Sequence, residues 1–219
     1  MMIDHGQFRD MKMPTDIPLQ TVFERKEVEE IVNDNRRRKN LPKLPEKSFY
    51  VINYNSQPFR PNEINVITTD IIDYESDFDF SFKEESDAWR RACKIKVQMQ
   101  RFQNVDVVRM DRFIQRLNVC EALTLFEDTY QILKEGGTLE ISYPDLKKWT
   151  TLLQTASIVK LEKYEQIIFA NSDSTGLYYN QSLWNEQRIK YYLNFAKFKD
   201  IKENEKYSDN IFTSVSATK

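Results

Sequence analysis

The chain contains little glycine, histidine and cysteine, and each scarcity argues against a class of functional site. Only four of the 219 residues are glycine, whereas loops that bring the backbone close to a nucleotide usually need it. His5 is the only histidine, which argues against zinc sites and His-dependent catalytic triads. Cys93 and Cys120 are the only cysteines and form no CxxC pair, which indicates buried thiols in a reducing compartment.

Neither charge nor hydropathy indicates a nucleic-acid or membrane protein. The formal net charge is -2, so general nucleic-acid binding through bulk positive charge is not expected. No apolar run is long enough to span a bilayer, and the N-terminus has no apolar secretory core. The length suits one domain with an extension, and we expect a cytoplasmic protein with no membrane partner.

The first part of the chain has the pattern of an arm. Residues 1–20 are polar and lack periodicity, which indicates a mobile or partner-bound segment. Val22–Asn40 has apolar residues at helical spacing, and Thr21 with Glu24 makes a capping-box pattern. Its basic end, residues 36–39, is either a solvated helix end or a patch for phosphate or an acidic partner.

A proline-marked linker separates this arm from the rest of the chain. The linker is Leu41–Lys47, and each of its prolines disfavours helix in the residue before it. We therefore predict an arm over residues 1–46, which contacts a protein partner, and a main domain over residues 47–219.

The stretch Val105–Asp145 carries the clearest pattern. An apolar run precedes an amphipathic helix, and Gly136–Gly137 stop that helix because glycine accepts a positive φ at a helix C-terminus. Thr138–Tyr143 then forms a second strand, which ends at a Pro-Asp pair. Parallel strands joined by a helix predict an open α/β sheet, which places ligands at the carboxyl ends of its strands.

Shorter patterns predict the other elements. Two further strands are expected, at Phe49–Asn53 and Ile64–Ile72. The expected helices are Ala88–Gln103, Leu146–Phe169 and Ser182–Ala196. Residues 74–87 alternate acids with phenylalanines and predict an exposed loop or partner edge. Phe198–Glu203 and Ile211–Val215 predict a final hairpin. The predicted α/β fold is a Rossmann-like open sheet, mostly parallel, with a C-terminal antiparallel hairpin, helices on both faces and a helical N-terminal arm.

These residues resemble the second half of a class I S-adenosylmethionine (SAM)-dependent methyltransferase. The matching positions are Asp106, Glu121–Leu123, Leu133–Gly137 and Pro144–Asp145. Ile64–Asp73 resembles the second strand of the family with its acidic end, and Leu183–Ile201 resembles a late helix and the strand after it. The resemblance covers about residues 48 to 216. It implies the fold more specifically than the activity, and it implies SAM as the cofactor.

The resemblance also implies candidate cofactor residues at the strand ends. Members of the family have a glycine-rich loop after the first strand, but Asn53–Pro58 contains no glycine. Asn55 can adopt a left-handed φ, whereas Tyr54 adds bulk. Asp70, with Asp73 as the alternative, matches the acidic residue that holds the ribose hydroxyls. The cofactor-binding candidates are Asn53, Tyr54, Asn55, Asp70 and Met110, with no catalytic residue and no metal ligand.

Further polar residues lie near the predicted strand ends. Arg109 and Asp111 are placed where substrate or methyl donor would lie, or they form a surface ion pair. Asp145 is either the cap of the following helix or a catalytic base, and the cap is favoured. Tyr178–Trp184 forms either a substrate lid or aromatic packing on the core.

Two functional hypotheses remain open. In the first, the domain is a degenerate methyltransferase-like pseudoenzyme, a scaffold or component of a larger assembly. The glycine-poor, Asn- and Lys-rich composition is typical of viral or phage proteins, which would make it virion-associated. In the second, it is an active SAM-dependent methyltransferase on a small molecule, glycan or protein group, because methyl transfer mainly needs alignment of donor and acceptor.

Overall fold

Sheet and helices alternate along the chain, as the sequence predicts. The computed structural model describes residues 22–54, 62–66, 93, 96–157, 182–205 and 208–219. The strands are β1 (Phe49–Tyr54), β2 (Glu63–Asn65), β3 (Val105–Asp111), β4 (Leu133–Pro144), β5 (Lys199–Glu203) and β6 (Phe212–Thr218). The helices are α1 (Arg25–Arg38), α2 (Val119–Ile132), α3 (Leu146–Thr155) and α4 (Glu186–Phe195), with a 3₁₀ turn at Ile114–Arg116.

The six strands form one mixed sheet in the order β2-β1-β3-β4-β6-β5. The first four strands in this order are parallel, and β6 runs antiparallel to both of its neighbours. The predicted open sheet with a C-terminal antiparallel hairpin is therefore confirmed. The strand order reverses between β1 and β3, because β2 lies on one side of β1 and the later strands lie on the other.

The two faces of the sheet differ in chemistry, because side chains alternate along each strand and paired residues share a face. One face is apolar and joins a single hydrophobic cluster with residues of α1, α2 and α4. Its members on the strands include Ile52, Tyr54, Val108, Met110, Ile141 and Val215. The other face carries a polar row in which Asn53, Arg109, Glu140 and Ser216 stand side by side on β1, β3, β4 and β6.

The helix α2 ends earlier than the glycine pair predicts. It stops at Ile132, and Leu133 is already extended with ψ 140. Leu133 is 1% exposed and pairs with Val105, so burial of its side chain in the sheet ends the helix before the glycines. Gly136 has φ 73, and a Cβ on Gly137 would lie 2.9 Å from the Lys134 carbonyl oxygen. The glycines therefore form a tight bulge within β4 instead of the helix cap.

The helix α2 is capped at its start by Asn118 and Glu121. Asn118 Oδ1 accepts hydrogen bonds from the backbone N–H groups of Cys120 (2.9 Å) and Glu121 (3.0 Å). The Glu121 carboxylate accepts in return from the Asn118 N–H at 2.8 Å. This capping box fixes where α2 begins, directly after the 3₁₀ turn.

The helix α1 is attached to the amino-terminal edge of the sheet. Its N-cap is Glu24, in a capping box with Glu27 rather than with Thr21, which lies outside the described residues. Val28 and Val32 belong to the same apolar cluster as the sheet. Arg25 Nη1 lies 3.3 Å from Asp106 Oδ2 on β3 and so ties the helix to the sheet.

The basic end of α1 is occupied by contacts within its own segment. Arg36 is buried, and its Nε donates to the Pro42 carbonyl at 2.7 Å. Arg37 and Arg38 both pair with Asp34, the second at 2.7 Å. Arg36 thus fastens the linker to the helix. None of the helices in the described ranges has the length and apolar character needed to cross a membrane.

Candidate functional site

The carboxyl ends of β1 and β3 form the candidate site, because open α/β sheets bind ligands where the strand order reverses. The strands pair without interruption up to this edge, with Asn53 opposite Arg109 and Tyr54 opposite Met110. Of the five predicted cofactor residues, the structure brings Asn53, Tyr54 and Met110 together here. Asn55 and Asp70 lie outside the described residues, so their predicted roles stay predictions.

The Tyr54 side chain lies in the hydrophobic core. It is 2% exposed, and its ring centre is 4.8 Å from that of Phe113. Its hydroxyl donates to Met99 Sδ at 2.6 Å. Burial raises the pKa of Tyr54 far above its ordinary value, and the nearby Asp128 carboxylate raises it further. The residue that opens the expected cofactor loop is therefore an anchored core residue.

Met110 and Asn53 are also buried. Met110 is fully buried in the same apolar cluster as Tyr54. Asn53 is 2% exposed, on the polar face, where its Nδ2 donates to Asn65 Oδ1 of β2 at 2.5 Å. Its other amide atom, Oδ1, has no hydrogen-bond partner among the described residues. A side chain thus bridges β1 and β2 at the position where a glycine would leave space.

Arg109 does not form the surface ion pair with Asp111 that the sequence suggested. It is 8% exposed and lies between Glu140 on the adjacent strand β4 and Glu63 on β2, which is two strands away. Its Nη2 is 2.7 Å from Glu63 Oε1, and its Nε is 2.6 Å from Glu140 Oε2. Burial alone would lower the pKa of Arg109, but the bonds to both carboxylates outweigh burial and raise it. The resulting row, which we call the Arg109 row, links β2, β3 and β4 across the polar face.

Asp111 and the residue after it are fixed by β4 and β6. Ser142 Oγ donates to Asp111 Oδ1 and accepts from the Arg112 N–H at 3.0 Å. Arg112 has φ 52, in the left-handed region, and its guanidinium carbon stands 4.1 Å from the ring centre of Phe212. The polar groups at the end of β3 are therefore engaged by residues of β4 and β6.

The predicted cap role of Asp145 is confirmed. Asp145 Oδ1 accepts from the Lys147 N–H at 2.8 Å, and Oδ2 accepts from Thr213 Oγ1 at 2.8 Å. Trp184, the last residue of the predicted aromatic segment, is 1% exposed and packs edge-on against Phe126. It therefore belongs to the core, while residues 178–181 lie outside the described ranges.

Asp128 is a buried carboxyl that the sequence patterns did not identify. Asp128 on α2 is 2% exposed, and its Oδ2 has no hydrogen-bond partner among the described residues. Burial raises its pKa to about 7, with Lys96 lowering and Glu127 raising it. Its helical spacing gave a usable signal, because Asp128 follows the buried Leu125 by three residues and precedes the buried Ile132 by four.

Several solved structures of SAM-dependent methyltransferases are similar to this chain. One from Archaeoglobus fulgidus is 14% identical, covering 87% of this chain and 94% of its own, with TM-score 0.47. One from Methanosarcina mazei is 13% identical, and the match covers 80% of this chain and 94% of that chain, with TM-score 0.45. Human N-acetylserotonin methyltransferase in complex with SAM is 12% identical, and the match covers 78% of this chain and 47% of that chain, with TM-score 0.46.

No family model matches the chain, and no curated protein matches it. The chain has a Rossmann-like fold, and this assignment rests on its own strand order and pairing.

Proposed function

We propose that this domain is a degenerate methyltransferase-like module that works by binding, as a component of a larger assembly, without SAM-dependent methyl transfer. The observation that carries the proposal is the position of Tyr54. A cofactor loop after β1 needs backbone that can approach the ligand closely, which is the usual role of glycine. At this place the chain has a large side chain anchored in the core by Phe113 and Met99.

The other described residues at the edge support the same proposal. The Asn53 side chain fills the polar side of the β1 end and is bonded to Asn65. The Arg109 guanidinium is occupied by two carboxylates, so it is not available to an incoming carboxylate such as that of methionine. These contacts support a β1 edge that does not hold the methionine part of SAM.

The same contacts suit a rigid binding module. The Arg109 row and the Asn53–Asn65 bond join four neighbouring strands on the polar face, while the apolar face packs against the helices. Buried polar groups that bond to one another across strands favour one fixed arrangement of the backbone. The partner contacts are proposed for the N-terminal arm. A viral or phage assembly is the proposed setting, on the basis of composition alone.

Active methyl transfer is the second candidate function. The unpaired Asn53 Oδ1 favours it, because a buried acceptor without a partner is unusual and could receive a hydrogen bond from a ligand. Methyl transfer also requires few catalytic side chains, since the protein mainly aligns donor and acceptor. Under this candidate, Asp70 would hold the ribose of SAM.

Calorimetric titration of the full chain with SAM and with S-adenosylhomocysteine separates the two candidates. Our proposal expects no saturable heat up to about millimolar ligand, a range in which binding contributes only about 4 kcal/mol. The outcome that overturns it is micromolar binding by the unaltered chain that Asp70→Ala abolishes. Asp200→Ala is the matched control, because Asp200 is an exposed acid on the edge strand β5.

A further inference from the structure

A groove lies between the last turns of α1 and the linker that follows this helix. Its volume is about 710 Å³, within the range of roughly 300–1,000 Å³ that is usual for ligand sites. The described residues of its lining come from α1 and from residues 40–43, and they include Glu30, Asp34, Arg37, Leu41 and Lys43. We call it the Leu41 groove, after the apolar residue in its wall.

The wall of the groove is an ordered turn at the end of α1. The Leu41 N–H donates to the Arg36 carbonyl at 2.8 Å, and the Asn40 N–H donates to the Arg37 carbonyl at 3.1 Å. Asn40 has φ 55, in the left-handed region. These features together form a Schellman motif, a regular way for an α-helix to end. The backbone of this motif therefore fixes the shape of the groove.

Leu41 is exposed, although a Schellman motif usually gives the residue at its position an apolar contact on the last turns of the helix. The helix positions that usually supply this contact hold Asn35 and Arg36, and the Arg36 side chain is bonded to the Pro42 carbonyl. Leu41 is 39% exposed, whereas Leu44 packs against the hydrophobic core. The fold thus leaves an apolar side chain exposed in the wall of the groove.

The groove has an excess of positive charge, which favours an anionic ligand. Arg37 and Arg38 share the carboxylate of Asp34, and their side chains are 80% and 74% exposed. Such exposed ion pairs contribute little to stability, so both arginines can pair with another anion. Lys43 is exposed and has no ion-pair partner among the described residues. Together with their ion-pair partners, the charged lining groups are two acids and four cations: Glu30, Asp34, Lys26, Arg37, Arg38 and Lys43.

We propose that the Leu41 groove binds an acidic peptide segment of a partner protein. Leu41 contacts an apolar side chain of the peptide, while Arg37 and Lys43 pair with its carboxylates. A nucleic acid would supply phosphates, but single strands are usually bound by stacking on aromatic side chains, and the described lining contains none. This inference rests on the proposed function, because it gives the chemistry of the partner that the N-terminal arm contacts.

The test is a titration of a fluorescent peptide with the full chain at neutral pH and low salt, followed by fluorescence anisotropy. The probe is a peptide with blocked ends and the sequence Glu-Leu-Glu-Glu-Leu-Glu. We expect saturable binding that weakens as salt is added, because part of the attraction is electrostatic. Peptides with glutamine for glutamate, or with serine for leucine, should each bind about ten-fold more weakly. Absence of saturable binding of the probe, or equal binding of either altered peptide, would overturn the proposal.

Variants with matched controls locate the binding site on the chain. Leu41→Ala should weaken probe binding about ten-fold, whereas Leu146→Ala, which shortens an apolar side chain of similar exposure (37%), should leave it unchanged. Lys43→Gln should weaken binding about three-fold, whereas Lys199→Gln, at an exposed lysine of β5, should not. All four side chains are exposed, so urea unfolding should change little. Losses in the controls that equal those in the groove variants would refute this location.

Two further titrations separate this inference from nucleic-acid binding and from the proposed function. A single-stranded oligonucleotide should not displace the probe, and displacement at similar affinity would mean that the groove binds polyanions in general, contrary to the proposal. The SAM titration reports on the proposed function alone. A chain that binds neither SAM nor the probe would refute the groove but not the proposed function. A chain that binds both would refute the proposed function and retain the peptide site.

Discussion

The buried Asp128 predicts a specific dependence of stability on pH. Its carboxyl lies among the apolar residues of α2 and the core, and burial raises its pKa from 3.8 to about 7. Lys96 is the charge that opposes this rise, and Glu127 adds to it. A carboxyl whose pKa is raised by folding destabilises the folded state wherever the unfolded chain is ionised. The substitution Asp128→Asn keeps the shape of the side chain and removes the ionisation.

The size of the effect follows from the shift in pKa. A rise of about 3 units, at about 1.4 kcal/mol per unit, gives a penalty on the order of 4 kcal/mol above pH 7. The penalty begins near pH 4, where the unfolded carboxyl ionises, and is complete once the folded carboxyl ionises above pH 7. Between pH 5 and pH 8 the unaltered chain should therefore lose about 2–3 kcal/mol relative to Asp128→Asn.

Urea unfolding at pH 5 and at pH 8 measures this difference. We expect Asp128→Asn to gain stability over the unaltered chain, and to gain about 2–3 kcal/mol more at pH 8 than at pH 5. Asp200→Asn is the control, because it removes an exposed carboxylate and should show little pH-dependent gain. An equal gain at both pH values, or the same result in the control, would show that Asp128 is not a buried carboxyl with a raised pKa.

Two further predictions concern the polar contacts of the sheet and the start of α2. Arg109→Met should destabilise the domain by about 3–5 kcal/mol in urea unfolding, because it leaves Glu63 buried without its cation. Adding Glu63→Gln should recover part of the loss, and strict additivity of the two changes would contradict the ion pair. Asn118→Ala should cost about 1 kcal/mol in the same assay, since two N–H groups of α2 lose their acceptor. Asn194→Ala, an exposed change inside α4, should cost less.

The sheet could be predicted from the sequence because its pattern is local. Val105–Asp111 and Phe49–Tyr54 are short apolar runs, and the amphipathic helix between β3 and β4 requires a parallel crossover. Residues 199–218 contain two antiparallel strands separated by a short polar sequence, which made the hairpin predictable. The predicted end of α2 at the glycine pair was wrong by a few residues. The helix ends earlier because Leu133 is buried beside Val105, and this tertiary contact is not visible in the local sequence.

The polar contacts of the site could not be predicted in the same way. Arg109 lies 46 residues after Glu63 and 31 residues before Glu140, and only the register of the three strands brings them together. The nearby Asp111 was the natural partner by sequence distance. On a strand, however, it lies one pleat further along and pairs with Ser142 of β4. Local proximity in sequence thus identified Arg109 and Asp111, but neither of the acids with which Arg109 pairs.

The position of Tyr54 also bears on the proposal that the loop after β1 no longer holds a cofactor. Replacing Tyr54 by glycine would remove the contacts with Phe113 and Met99, and deletion of a buried aromatic side chain costs about 3–5 kcal/mol. A typical domain has only about 5–15 kcal/mol of stability, so such a reversal would remove a large share of it. The bulk of Tyr54 does not disturb the strand, because Tyr54 keeps its regular pairing with Met110. A bulky residue at the end of β1 therefore preserves the sheet and makes a glycine at this position costly, which supports the proposed function of a fold kept for binding.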